Sequence, residues 1–212
     1  MRFNTKLLHG NKMGDANTGA TLTPVYQSSA FYQPSAEQHE KLFHNKATGF
    51  SYTRINNPTI FAFEERMTAL EAGIASVACA YGMAAITNAL LNIVTCGQEI
   101  VASTSLYGGS IDVFHDFEAF GIKTVFVDIS DVNAVEAAIN ENTRVIFAET
   151  IGNPKLDVTD IEGVAEIAHK HGLPFLVDNT VATPYLIQPL RLGADVVIHS
   201  CLLYTSDAAD EG

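Results

Sequence analysis

The sequence predicts an α/β fold, a mostly parallel sheet flanked by helices. Three observations carry that prediction. Short apolar runs recur at 76–80, 98–103, 122–128, 144–149, 173–178 and 194–199. They lack strict in–out alternation, as strands buried on both faces do. Helical patterns fill most of the gaps between them, at 82–94, 108–120, 131–140 and 159–171, and strands alternating with helices imply crossover connections.

The elements follow in order. Residues 1–34 show no clear period and carry several Gly, Thr and Pro, so they read as an extended arm. Ser35 with Gln38 forms a capping-box signal for a short helix to about Asn45. A loop rich in Gly, Asn and Pro covers 48–58, and Pro58 opens a further helix. In that helix Ile60, Phe63, Met67 and Leu70 share one face. Val132, Val135 and Ile139 give the 131–140 helix its buried face. Thr159 and Glu162 make a second capping box, ahead of the apolar set Ile161, Val164, Ala165 and Ala168. The last twelve residues break the pattern, placing small and acidic residues where a strand-to-helix turn is expected.

Composition narrows the function. The chain has 212 residues, 47% of them apolar, and a formal charge of −12. That charge disfavours non-specific binding to nucleic-acid backbones, which needs a surplus of Lys and Arg. No apolar run is long enough to span a bilayer, and MRFNTKLLHG lacks the features of a secretory signal. Cys79, Cys96 and Cys201 have no CxxC spacing and indicate a reducing, cytoplasmic setting. Cys79 and Cys96 read as core thiols. His169 and His171 lie two apart, on different helix faces, so a shared metal is not expected and a solvated basic helix end is.

In an open α/β sheet ligands bind at the carboxyl ends of the strands. Gly82 and Met83 open a helix after the 76–80 run, where glycine permits close backbone approach and the helix start offers N–H donors to an anion; an ordinary tight turn fits equally. There is no GxGxxG, which weighs against a nicotinamide-dependent dehydrogenase. Tyr107 stands before two glycines and can stack on a flat ring or pack at the sheet edge. Asn153 before Pro154 is a turn residue or an amide donor. Asp178 ends a buried strand, where a carboxylate needs a partner: a cationic ring nitrogen, or the backbone amides of the next turn. Ser200 ends another strand and suits a phosphate or a turn. In the 52–59 segment, YTRINNPT, Tyr52 and Arg54 offer donors to phosphate or lie on the surface.

The order of these motifs is more specific than any one of them. Over residues 4–200 the chain resembles the Cys/Met-metabolism family of pyridoxal-phosphate enzymes, the cystathionine γ-synthase-like group. The resemblance implies the large domain of a fold-type I pyridoxal-phosphate transferase, truncated. Residues 1–57 would be an N-terminal arm and inter-subunit cofactor loop, 58–200 an incomplete cofactor-binding domain, and 201–212 a non-native tail, CLLYTSDAADEG, similar to a translated adapter sequence. It implies that Gly82, Met83 and Ser200 hold the phosphate of pyridoxal 5'-phosphate, joined by Tyr52 and Arg54 from a neighbouring subunit of a homotetramer. Tyr107 would stack on the pyridine ring and assist proton transfer, Asp178 would pair with the ring nitrogen, and Asn153 would lie near the phenolic oxygen.

One element of the family pattern is missing. The family has a lysine, just past the strand that ends in His-Ser, which forms a Schiff base with the cofactor. Here Cys201 follows, and none of Lys6, Lys12, Lys41, Lys46, Lys123, Lys155 and Lys170 matches that position. An inactive fragment is therefore expected. LLHGN, ETIGNP and VDNTVATPYLIQPL most resemble the O-acetylhomoserine sulfhydrylase branch, which implies an amino-acid substrate with sulfide or a thiol. Methionine γ-lyase or a cystathionine-type lyase is the alternative. A non-catalytic module that holds the cofactor or a phosphorylated metabolite is the alternative of another class.

Overall fold

The computed structural model describes residues 2–10, 14–15 and 18–201. Residues 202–212 and Lys12 lie outside the described residues. The chain divides into two compact units, Met1–Ala78 and Cys79–Gly212.

In the first unit the arm is not wholly extended. It begins with α1, Phe3–His9, which lies against α3, Pro58–Glu71, where Lys6 Nζ donates to the Ala69 carbonyl at 3.3 Å. Two turns are too few to show a period, and a helix that short depends on packing. Helix α2, Ala36–Phe43, starts as expected, with Ser35 Oγ accepting from the Gln38 amide at 3.1 Å. Pro58 takes the first position of α3, where its missing N–H is harmless, and Asn57 caps the helix by accepting from the Thr59 amide at 2.8 Å. The expected apolar face of α3 is only partly covered: Leu70 is 5% exposed, but Ile60 is 39% and Phe63 46%. The 76–80 run forms no strand; Val77 is exposed, and the Ala78 amide goes to the Glu64 carboxylate at 2.8 Å. With its donor spent on a side chain, that backbone is not in a ladder.

The second unit is built on five parallel strands: β1 Glu99–Ser103, β2 Lys123–Val127, β3 Thr143–Glu149, β4 Phe175–Asp178 and β5 Val196–Ile198. Their spatial order is β2-β1-β3-β4-β5. The chain adds strands in one direction from β1 to β2, then reverses across β1 to place β3, so the switch point lies between β1 and β3. Successive side chains alternate between two apolar layers. Ile100, Ala102, Val145, Phe147 and Leu176 face one layer with Ile86 and Leu90 of α4, Gly82–Leu91, and Phe114 of α5, Gly108–Glu118. Val101, Ile146, Ala148, Phe175 and Val177 face the other, with Val135 of α6, Val132–Ala138, and Ile161, Val164, Ala165 and Ala168 of α7, Ile161–Lys170.

Two local expectations are corrected. Helix α7 is capped by Asp160, whose carboxylate accepts from the Gly163 amide at 3.1 Å. Thr159 instead donates to the Glu149 carbonyl at 2.6 Å, because it is buried against β3. A short helix α8, Thr183–Leu186, and a 3-10 turn, Pro189–Leu192, fill the β4–β5 connection. Cys79 is half-buried and Cys96 is exposed, so neither is a core thiol; Cys96 sits in the turn leading to β1, outside both layers. At the end of α7, His169 faces Asp195 at 3.0 Å, while Lys170 and His171 both meet Glu136, at 2.5 and 3.0 Å.

Phe147 is fully buried at mid-sheet, and its ring meets Phe114 edge-on at 5.2 Å. Phe147→Ala is expected to lower unfolding free energy by about 3–5 kcal/mol in denaturant titration. Cys96→Ser, on the surface, is expected to change it by less than about 0.5 kcal/mol.

Candidate cofactor site

The carboxyl ends of β1, β3, β4 and β5 bring together Tyr107, Glu149, Asn153, Asp178, Thr180 and Ser200, with the start of α4 alongside. Each part has a local cause. No side chain caps α4 at Tyr81, so its first amides, Gly82 and Met83 among them, have no intrahelical partner. Ser200 is pressed against this helix start: a methyl group on Gly82 would lie 2.5 Å from Ser200 Cβ and 2.8 Å from its hydroxyl oxygen. Only glycine admits that approach, and the result is a cradle of backbone donors and one hydroxyl, suited to a phosphate.

Ser200 is fixed from β4. Its amide donates to Thr180 Oγ1 at 2.8 Å. Thr180 in turn gives its amide to Asp178 Oδ1 at 2.8 Å. Asp178 therefore does cap the turn that follows it. Burial nevertheless raises its pKa above the ordinary carboxyl value, against the lowering effects of Thr180 and the His199 ring. A cationic group beside it would offset that burial. Thr180, which the sequence reading left without a role, ties the carboxylate of β4 to the cradle at β5.

At the switch point Tyr107 precedes α5 and is 53% exposed. A methyl on Gly109 would meet the Tyr107 ring at 2.6 Å, so the glycine lets the ring lie over the helix start. The Tyr107 amide donates to Glu149 Oε1 at 2.6 Å. The Asn153 amide also lies near enough to the Glu149 carboxyl to lower its pKa, while Asn153 itself is exposed in the turn after β3. Glu149 is 6% exposed, and its pKa is raised to about 7, first by burial and further by the charges of Asp178 and Asp157. Sequence reasoning passed over Glu149. The signal was there: an apolar run ending in an acid, the same feature that marked Asp178.

Tyr52 and Arg54 belong to the first unit. The backbone around them is pinned by an isolated bridge between Ala30 and Tyr52, by Asn56 donating to the Gly49 carbonyl at 2.9 Å, and by Asn57 donating to Thr53 Oγ1 at 3.0 Å. The Arg54 guanidinium lies 5.5 Å from the Tyr52 ring centroid, a cation–π contact that holds the two side chains as a pair.

A donor cradle, a part-buried acid and an exposed aromatic thus meet at the strand ends. The model of the family described as Cys/Met metabolism PLP-dependent enzyme matches residues 4–209. The chain belongs to this family. It is 46% identical to an O-acetyl-L-homoserine sulfhydrylase of Leptospira meyeri, over 92% of this chain and 45% of that protein. It is 42% identical to an L-methionine gamma-lyase of Pseudomonas putida (98% and 52%) and 43% identical to a cystathionine gamma-lyase of Bacillus subtilis (99% and 53%). Among solved structures, a putative O-acetylhomoserine (thiol)-lyase of Campylobacter jejuni, which carries a pyridoxyl-lysine phosphate, superposes with a TM-score of 0.91 at 34% identity, over 95% of this chain and 50% of its own. The chain spans about half the length of the relatives it matches. The family's cofactor is pyridoxal phosphate, and the residues at the strand ends fit it: donors at the cradle, an acid whose burial a ring cation would offset.

Gly82→Ala is expected to lower stability by about 1–3 kcal/mol through overlap with Ser200. Adding Ser200→Gly should recover much of that loss; denaturant titration of the double-mutant cycle checks it, and strictly additive effects would contradict the packing. A second expectation concerns pH. The folded Glu149 pKa, about 7, lies above its ordinary value of 4.5, so the folded chain binds this proton more tightly. The resulting stability is full below about pH 4.5 and lost as pH rises through 7, a change on the order of 3 kcal/mol. Melting curves across that range should flatten in Glu149→Gln relative to the unsubstituted chain.

Proposed function

We propose that this sequence is the cofactor-binding half of an enzyme of γ-replacement in sulfur amino-acid metabolism, acting on O-acetylhomoserine and sulfide to give homocysteine. The observation that carries the cofactor part is the Asp178–Thr180–Ser200–Gly82 chain, which joins a part-buried acid to a donor cradle. Bound pyridoxal phosphate supplies an electron sink for bonds made and broken at the substrate's amino-acid carbons. In this reading the amides of Gly82 and Met83 and the Ser200 hydroxyl hold the phosphate. Asp178 keeps a proton on the ring nitrogen, Tyr107 lies on the ring, and Asn153 stands near its phenolic oxygen. Tyr52 and Arg54 add phosphate donors from a second subunit. The sulfhydrylase assignment follows the identity of 46%; values of 42% and 43% keep methionine γ-lyase and cystathionine γ-lyase as the second reading.

Within these 212 residues no lysine follows Ser200. We therefore infer that the chain by itself holds the cofactor reversibly and does not turn over. Borohydride reduction in the presence of pyridoxal phosphate, followed by peptide mapping, is expected to show no single stoichiometrically labelled lysine. One such lysine, accompanied by turnover, would contradict the inference. In a protein of the relatives' full length with this sequence, Asp178→Ala is expected to lower turnover at least ~100-fold while weakening cofactor binding less than ~10-fold. Unchanged turnover would refute the role of Asp178.

A further inference from the structure

Glu149 is the buried acid at the strand ends to which the cofactor reading assigns no task. It ends β3 directly beside Asp178 in the β3–β4 ladder, and paired residues of parallel strands project to the same face. Its carboxyl takes the amide of Tyr107 at 2.6 Å, and the Asn153 amide lies near enough to lower its pKa. One side chain of β3 thus holds the segment that follows β1 and faces the one that follows β3, the strands flanking the switch point. The same two segments are already clasped by the Ser105 hydroxyl on the Asp157 carboxylate. What Glu149 adds to that clasp is a charge next to Asp178.

We propose that Glu149 is a positioning residue for the pyridine end of the cofactor: its carboxylate fixes the Tyr107 backbone and adds negative charge beside Asp178, so that ionisation of Glu149 and binding of a cationic ring favour each other. This rests on the pyridoxal-phosphate reading of the site. An ionised carboxylate is a stronger acceptor for that amide than a protonated one. Two neighbouring carboxylates repel, and a cation against Asp178 removes that repulsion. The titratable groups around Glu149 are Asp178 on β4, Asp157 past β3 and, acting on Asp178, His199 at the end of β5. Coupling of this kind is reciprocal: a tenfold gain in cofactor affinity on ionisation requires the cofactor to lower the Glu149 pKa by one unit.

The test is the dissociation constant of pyridoxal 5'-phosphate, by equilibrium dialysis, for the 212-residue chain and its Glu149→Gln variant from pH 5.5 to 8.5. The cofactor's own titrations cancel in the ratio of the two constants. That ratio is expected to be near 1 at pH 5.5 and to rise to roughly 10 at pH 8.5, with a midpoint near 7. A ratio independent of pH overturns the proposal, because a purely structural role would weaken binding equally at every pH. A second measurement needs no variant. The ¹³C carboxyl resonance of Glu149 should titrate near pH 7 and shift its midpoint about one unit down with saturating pyridoxal phosphate; an unmoved midpoint also overturns it. Failure of the unsubstituted chain to bind the cofactor at any pH overturns the pyridoxal-phosphate reading itself and this inference with it.

Discussion

A parallel sheet covered by apolar layers on both faces has one place for polar chemistry, the ends of its strands. Alternate residues of β1, β3 and β4 are committed to one layer or the other, so a charged side chain at mid-strand has no partner and no water. The first positions free of that constraint are Ser103, Glu149 and Asp178, and polar residues stand at all three. The site follows from the same rule that makes the core.

Placing acids there creates a second constraint. Glu149 and Asp178 lie side by side with little solvent, and burial raises the pKa of both. The surrounding backbone answers with donors. The amides of Tyr107 and Asn153 turn to Glu149, and Thr180 turns to Asp178. The acids therefore organise the loops at the strand ends, and Thr180 passes the order on to Ser200 and the start of α4.

Much of this was legible in the sequence where one residue type has few alternatives. Pro58 and Gly82 at helix starts and Asp178 at the end of an apolar run each admit few structures, and each stands where expected. The failures share a cause, dependence on a distant partner. The 76–80 run has strand composition but no ladder, and composition does not say where a neighbour lies. Helix α1 exists because α3 is beside it. Thr159 and Asp160 are both good caps, and the choice between them was made by the Glu149 carbonyl, which takes the Thr159 hydroxyl. Glu149 and Thr180 were visible as residues, but their roles depend on hydrogen bonds to Tyr107 and Ser200, far along the chain.

The strand order gives the site a direction. Moving from β3 through β4 to β5, the groups change from carboxylate acceptors, Glu149 and Asp178, to donors, Ser200 and the amides that open α4. Two strand steps, about 10 Å in all, separate a negative end from an anion-binding end. A ligand carrying a cation at one side and a phosphate at the other fits this gradient in one orientation only, because reversal would set phosphate against two carboxylates. Relatives of different activity match this half of the sequence almost equally well, at 42–46% identity, so these strand ends do not by themselves separate lyase from sulfhydrylase.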